Sequence, residues 1–210
     1  MLFGKREYQH GGNGGGGKQW GDDTANVLVG TLGKDQIHGG GGDDTITGSG
    51  GDDKLWGDDG IDTIDGGADK DKIDGGAGDD VLSGGDGRDE LTGGLGADVM
   101  TGGADRDRFN LGSLDEANGD HVTDYDAAGK DRLDVKWDQH AGGDDSPDSS
   151  SSGFSFIGAD AFTGAGQVRV EGADGTWTVF VNVDADLAAD YSFTVSTVGA
   201  VELTAKDFHL

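Results

Sequence analysis

The chain contains no cysteine, so neither a disulfide scaffold nor a zinc–thiolate centre can hold it together. Proline occurs once, at Pro147. Basic residues are scarce: 15 Lys and Arg stand against 42 Asp and Glu, giving a formal net charge of −27. That imbalance argues against nucleic acid and anionic membranes as partners, because both repel a negative surface. Long apolar runs are missing as well, so no membrane span is expected. Met1-Leu2-Phe3 gives way at once to Gly4, Lys5, Arg6 and Glu7, without the apolar core of a secretory leader. Catalytic signatures are lacking too. There is no H-E-x-x-H helix, nucleophile elbow or P-loop. The histidines (His10, His38, His121, His140 and His209) are scattered, with no pair at i, i+4. The chain by itself is therefore not expected to be an enzyme.

What it has in abundance is glycine, 44 residues of it, and aspartate in a fixed rhythm. From Gly30 to Asn110 the sequence divides into blocks of nine, beginning at Gly30, Gly39, Gly48, Gly57, Gly66, Gly75, Gly84, Gly93 and Gly102. The sixth place is always aspartate: Asp35, Asp44, Asp53, Asp62, Asp71, Asp80, Asp89, Asp98 and Asp107. The eighth is always large and apolar: Ile37, Ile46, Leu55, Ile64, Ile73, Leu82, Leu91, Met100 and Phe109. A flexible linker does not keep apolar residues in register, so a repeat architecture is the reading to pursue.

The first six places suit a tight turn with positive φ angles. The last three read polar, apolar, polar, as in Thr45-Ile46-Thr47, and make one short strand with a single inward side chain. Turn, strand, turn, strand gives a flattened spiral with two blocks per coil, odd blocks in one parallel sheet and even blocks in the other. Such a core is thin. One buried apolar side chain in nine does too little to offset the ordering of nine residues, and stacked aspartates repel one another. A cation has to supply the difference. Carboxylates and glycine carbonyls at this spacing suit calcium, which takes 6–8 oxygen ligands in a forgiving geometry, better than octahedral magnesium.

The repeat resembles the calcium-binding nonapeptide of RTX proteins, G-G-x-G-x-D-x-U-x, a parallel β-roll unit. The resemblance implies one calcium between each block and the block two further on. Both blocks give the sixth-place aspartate. The upper gives the carbonyls of its second and fourth places, and the lower those of its first and third. On this sequence the carbonyl positions are Gly30, Thr31 and Gly33; Gly39, Gly40 and Gly42; Gly48, Ser49, Gly50 and Gly51; Gly57, Asp58, Asp59 and Gly60; Gly66, Gly67, Ala68 and Asp69; Gly75, Gly76, Ala77 and Gly78; Gly84, Gly85, Asp86 and Gly87; Gly93 and Leu95; Gly102 and Ala104. Seven full sites follow, from the pair 30/48 to the pair 84/102. The departures from glycine are Thr31, Ser49 and Asp58 at the second place and Asp69 and Asp105 at the fourth, where aspartate tolerates a left-handed backbone. Aspartates outside the sixth place, such as Asp43, Asp52 and Asp79, read as a solvated acidic surface.

The expected organisation is a glycine-rich mobile lead over 1–20, the roll over 21–110 and a C-terminal β region over 111–210. Block 21–29 is a worn repeat with Asn26 in place of the aspartate, offering a weaker eighth site with block 39. Trp20 and this block are expected to blunt the open end. Val122–Tyr125 and Arg132–Val135 read as short strands capping the lower end. Residues 141–153, with Pro147 and four consecutive serines, read as a disordered loop. Gln167–Val170 and Thr176–Val183 flank Gly172-Ala-Asp-Gly175 as a hairpin, and Tyr191–Val198 gives a further strand. The fold class is thus all-β: a parallel β-roll followed by an antiparallel β region.

Gly119–Tyr125 with Lys130–Asp134, Phe154–Gly164 and Leu203–Leu210 resemble the C-terminal domain of serralysin-type secreted metalloproteases. In that family an acidic residue followed by apolar ones forms the signal for export through an ABC transporter. Asp207, Phe208 and Leu210 fit, while His209 departs from the pattern; a plain terminal strand is the alternative. Asn182, Asp184, Asp186 and Asp190 have EF-hand-like spacing, but Leu187 and Phe193 stand where glycine and glutamate belong, so a decorated turn competes with a calcium loop. Trp56 and Trp177 either stack on sugars or pack between the roll and the C-terminal region.

The resemblance implies a secreted, extracellular, non-enzymatic calcium-binding protein that folds on calcium after type I export. The alternatives are an accessory module of a serralysin-like protease, and a carbohydrate-binding module of the alginate-epimerase kind with extracellular polysaccharide as partner.

Overall fold

In the computed structural model the described residues are 8–10, 16–126, 131–136, 155–163, 166–183, 186–199 and 201–208. The expected loop at 141–153 and Gly11–Gly15 of the glycine-rich lead lie outside them. The strands, in chain order, are β1 (Tyr8–His10), β2 (Lys18–Trp20), β3 (Val27–Val29), β4 (Gln36–Gly41), β5 (Thr45–Gly50), β6 (Lys54–Asp59), β7 (Thr63–Ala68), β8 (Lys72–Ala77), β9 (Val81–Asp86), β10 (Glu90–Leu95), β11 (Val99–Ala104) and β12 (Arg108–Ser113). After the short helix α1 (Leu114–Ala117) come β13 (His121–Tyr125), β14 (Arg132–Lys136), β15 (Ser155–Phe156), β16 (Gln167–Ala173), β17 (Thr176–Asn182) and β18 (Tyr191–Thr197).

Alternate blocks fall into opposite parallel sheets. One sheet runs β1-β3-β5-β7-β9-β11-β13 and continues into β18-β17-β16-β15; the other runs β14-β12-β10-β8-β6-β4-β2. Register is 18 residues throughout the repeats, as in Ile46↔Ile64 and Leu55↔Ile73. The eighth-place side chains are all buried between the sheets, Ile37 through Phe109.

Strands within the roll are longer than the three places expected. They run six residues, through places seven to nine and on through the first three of the next block. Those three places stay in the ladder because glycine there lets adjacent coils lie close. The ladder continues across them, with Ser49 opposite Gly67 and Gly50 opposite Ala68. The turn itself shrinks to places four to six.

Both sheets also run past the ends of the strict period. At the upper end, where a mobile lead is expected, β2 pairs with β4 and β1 with β3. The apolar column ends there on Gln19, which takes the inward place and donates its side-chain amide to the Val29 carbonyl at 2.9 Å. Trp20 does not plug the core; it projects outward and is 59% exposed. At the lower end β13 and β14 are not a separate cap. β13 pairs with β11 and β14 with β12, both parallel, so they form a further coil of the roll. Insertions hide that coil from the nonapeptide period, the first of them holding α1. Ser113 and Glu116 close the start of α1 as a capping box, and Leu114 and Ala117 bury its inner face.

The expected hairpin is present as β16–β17, antiparallel from Gln167↔Asn182 to Ala173↔Thr176. β18 joins it to the roll, antiparallel to β17 and parallel to β13. The roll and this region share one apolar cluster, from Leu28 through Phe109, Tyr125 and Val181 to Phe208. Residues Ala205–Asp207 form a 3-10 turn rather than a terminal strand, and Phe208 is buried.

Candidate metal centre

Stacking the blocks aligns their sixth-place aspartates in two columns, one on each side of the roll. In each column the backbone N–H of one aspartate donates to Oδ1 of the aspartate one coil below. Asp35, Asp53, Asp71, Asp89 and Asp107 form the first column and Asp44, Asp62, Asp80 and Asp98 the second, at 2.7–2.9 Å. Each carboxylate therefore spends one oxygen holding the turn above it. The other oxygen is different. Oδ2 of Asp44, Asp53, Asp62, Asp71, Asp80, Asp89, Asp98 and Asp107 is buried and has no hydrogen-bond partner among the described residues.

The surroundings of Oδ2 are rich in oxygen. A Cβ placed on Gly48 would lie 2.5 Å from Asp53 Oδ2 and 2.5 Å from the carbonyl oxygen of Gly66, one coil below. The same cradle, an aspartate Oδ2 beside a first-place carbonyl, recurs at Gly30, Gly39, Gly57, Gly66, Gly75 and Gly84. These φ angles are ordinary, so first-place glycine is required by space. At the second and fourth places conformation rules instead. Gly67, Gly76 and Gly85 have φ near 105°, and Gly60, Gly78 and Gly87 lie between 136° and 156°. Ser49, Asp58, Asp69 and Asp105 adopt the left-handed backbone expected of them, with φ between 70° and 84°. Second-place carbonyls of Ser49, Asp58, Gly67 and fourth-place carbonyls of Gly42, Gly60 and Asp69 point at the coil below. Third-place carbonyls of Ala77, Leu95 and Ala104 accept the N–H groups of Gly60, Gly78 and Gly87, leaving each a second lone pair.

Burial makes these carboxylates reluctant to ionise without a counter-ion. Desolvation first, then neighbouring aspartates, push Asp44 and Asp89 up to about 6 and Asp53, Asp71, Asp80 and Asp107 up to about 7, from an ordinary 3.8. The donor set fits a hard divalent cation: anionic oxygen, carbonyl oxygen, and buried atoms lacking a proton donor. Among the described residues no point gathers three or more acidic or histidine side chains, so main-chain oxygens have to complete any such shell.

The upper ends differ in detail. Asn26 keeps the column's geometry, donating its N–H to Asp44 Oδ1 at 2.7 Å, but its own Oδ1 already accepts the Asp22 N–H at 2.8 Å. Oδ2 of Asp35 accepts from the N–H and hydroxyl of Thr31. At the lower end two aspartates absent from the sequence-based set continue the columns: Asp98 donates to Asp120 and Asp107 to Asp131, each at 3.0 Å. Their signal was in the sequence. Asp120-His121-Val122 and Asp131-Arg132-Leu133 repeat the aspartate–x–apolar spacing, displaced by insertions.

Asp43 and Asp79 are more than surface charge, since they accept the Ile61 and Ala97 N–H groups across one coil, and Asp52 pairs with Lys34. Among the described residues Trp56 is not one of those packed against the shared apolar cluster. It stacks on His38 at 4.3 Å with Trp20 beyond, so these ring faces meet one another on the outside of β2, β4 and β6. Trp177 does pack against the core, with its ring N–H on the Val201 carbonyl at 3.1 Å. In the EF-hand-like stretch Asp184 lies outside the described residues; Asp186 and Asp190 accept the N–H groups of Ala188 and Val183, and Phe193 is buried in β18.

Four copies of the RTX calcium-binding nonapeptide repeat match the chain, at residues 20–55, 47–82, 56–91 and 83–114. Among curated proteins none matches. A similar solved structure is the solution structure of the AlgE6R3 subunit from the Azotobacter vinelandii mannuronan C5-epimerase, with 25% identity over 89% of this chain and 78% of that one and a TM-score of 0.32. Residues 20–114 of this protein are an array of RTX calcium-binding nonapeptide repeats.

Proposed function

We propose that the chain is a secreted, non-enzymatic calcium-binding module whose roll folds when extracellular calcium fills the turns. The observation that supports this most is the pair of buried carboxylate columns, in which every sixth-place carboxylate from Asp44 to Asp107 keeps one oxygen without a donor among the described residues. Six ions lie between coils where both aspartates, 18 residues apart, keep Oδ2 free, from Asp44 with Asp62 to Asp89 with Asp107, and the seventh, at Asp35 and Asp53, has to displace the Thr31 donors; first-place carbonyls such as those of Gly66 and Gly84 complete the shell. Extracellular calcium modules bind at roughly 10⁻⁴–10⁻³ M, so at cytosolic calcium levels the chain stays unfolded and passes through an ABC-type exporter. Outside, the free energy of binding becomes free energy of folding. Each interior aspartate serves the ion above and the ion below, so filling one site shapes the next and binding is cooperative.

Asp207 and Phe208 fit this sequence of events. Once folded, Phe208 is 1% exposed and Asp207 accepts from Thr204 and from the Tyr125 hydroxyl. An export signal built on them is legible to a transporter only while the chain is unfolded. Segment-resolved hydrogen exchange tests the proposal. Amides of β4 to β12 are expected to exchange freely in chelator, to gain protection steeply as calcium approaches millimolar levels, and to gain little from equal magnesium. Strong protection in excess chelator would overturn it.

A further inference from the structure

Each carboxylate column has two ends, and an end is where a stack of buried charges must be closed. Three of the four are closed by protein donors. Asp35 Oδ2 accepts the Thr31 N–H at 2.7 Å and the Thr31 hydroxyl at 2.9 Å. Asn26, neutral, accepts the Asp22 N–H at 2.8 Å. Asp131 uses both oxygens, Oδ1 for the Asp107 N–H and Oδ2 for the Asp126 N–H at 2.7 Å. The fourth end is Asp120. It is 1% exposed, its Oδ1 accepts the Asp98 N–H, and its Oδ2 is buried with no partner among the described residues. The carboxylate above it, Asp98, is 0% exposed and equally lacks a partner on Oδ2.

The coil bearing Asp98 is shaped like those above it. Gly94 and Gly96 have φ of 110° and 137°, against 108° and 136° for Gly76 and Gly78 one coil earlier. The ladder also continues, with Met100 opposite Val122 and the His121 N–H on the Asp98 carbonyl at 2.7 Å. The change lies below: at Gly93 no carbonyl of the next coil comes as near as the 2.4–2.6 Å seen from Gly30 to Gly84, and the lower carboxylate is Asp120. It stands 22 residues on rather than 18, reached through α1 instead of a glycine turn.

We propose that Asp98 and Asp120 hold a further calcium ion at the foot of this column, outside the nonapeptide repeats, and that this ion fastens the antiparallel sheet to the roll. The second half follows from what Asp120 carries. Its carbonyl accepts the Thr194 N–H at 2.8 Å, the Gly119 N–H donates to the Ser192 carbonyl at 2.8 Å, and Asn118 Oδ1 accepts the Ser192 N–H at 3.1 Å. Residues 118–120 are thus a seam along β18. With two carboxylates and the carbonyls of one glycine turn, this shell needs more water than those above it, so this ion binds last.

This inference rests on the reading of the roll as a calcium binder, and the test separates the two. Native mass spectrometry counts the calcium ions on the full chain, on Asp120→Asn and on Asp131→Asn; asparagine keeps the oxygen that receives the N–H above. Asp120→Asn is expected to carry one ion fewer than wild type and to lose hydrogen-exchange protection in β16–β18 while β4–β10 keep theirs. Asp131→Asn is expected to carry the wild-type number. An unchanged count in Asp120→Asn, or the same loss in both variants, overturns the site alone. No calcium on wild type overturns both readings. A calcium titration of wild type gives an answer if Asp120→Asn does not fold: the Thr194 amide, bonded to the Asp120 carbonyl, is expected to gain exchange protection in a last step after β4–β10 are protected, and protection gained together with β4–β10 overturns the site.

Discussion

At the scale of single residues, one aspartate does three things. Asp71 accepts the Asp53 N–H at 2.8 Å, donates its own N–H to Asp89 at 2.8 Å, and leaves Oδ2 for a cation. Asp71→Ala removes a ligand from two neighbouring ions and an acceptor from the turn above, so the calcium midpoint of folding is expected to rise several-fold. Asp65→Ala, at an exposed ninth place in β7, is expected to leave it nearly unchanged. Equal shifts in calcium-dependent circular dichroism would contradict the assignment. Ser49 presents the opposite case. It holds φ at 84° where the matching places one and two coils on are Gly67 and Gly85, and a left-handed backbone costs a side-chain-bearing residue about 1–2 kcal/mol. Because glycine also loses entropy on folding, Ser49→Gly is expected to stabilise by somewhat less, about 1 kcal/mol, as read by thermal melting at saturating calcium.

At the scale of the element, the coil repeats because glycine does different work at different places. First-place glycine makes room for oxygens; second- and fourth-place glycine supplies left-handed backbone. Gly84→Ala tests the first role. Its Cβ would sit 2.5 Å from Asp89 Oδ2 and 2.6 Å from the Gly102 carbonyl, and overpacking of this kind costs about 1–3 kcal/mol. The variant is expected to lose one calcium and to melt earlier; an unchanged ion count in native mass spectrometry would show that the cradle is not a ligand site. The strand pairing, the buried eighth place and the sixth-place columns were legible because period alone determines them. The six-residue strands were not, because a glycine run reads as turn until its ladder partners are known. The extra lower coil was not legible either: Asp120 and Asp131 stand 22 and 24 residues below their partners, and the period of 18 breaks across α1 and the loop after β13. The Trp20–His38–Trp56 stack follows from register, since ninth places of alternate blocks are neighbours.

At the scale of the whole molecule, the balance of protons and calcium on the columns decides when the roll exists. The carboxyls of Asp44 and Asp89 lie at about 6, those of Asp53, Asp71, Asp80 and Asp107 at about 7, and that of Asp120 at about 8 in the metal-free fold, all raised chiefly by burial. In the unfolded chain the same groups titrate near the ordinary 3.8. A folded-state value above the unfolded one means that the metal-free fold binds more protons. Its contribution to stability is fully present below about pH 4 and is lost as pH rises through 6 to 8. Calcium acts with the opposite sign, because it binds the ionised carboxylates and must displace their protons. The calcium-stripped chain is therefore expected to show more strand signal in circular dichroism at pH 5 than at pH 8, while the calcium midpoint falls as pH rises over the same interval. A stripped chain more ordered at pH 8 than at pH 5 would mean that the buried columns are not what opposes folding, and that the roll is held by something other than the neutralisation of these aspartates.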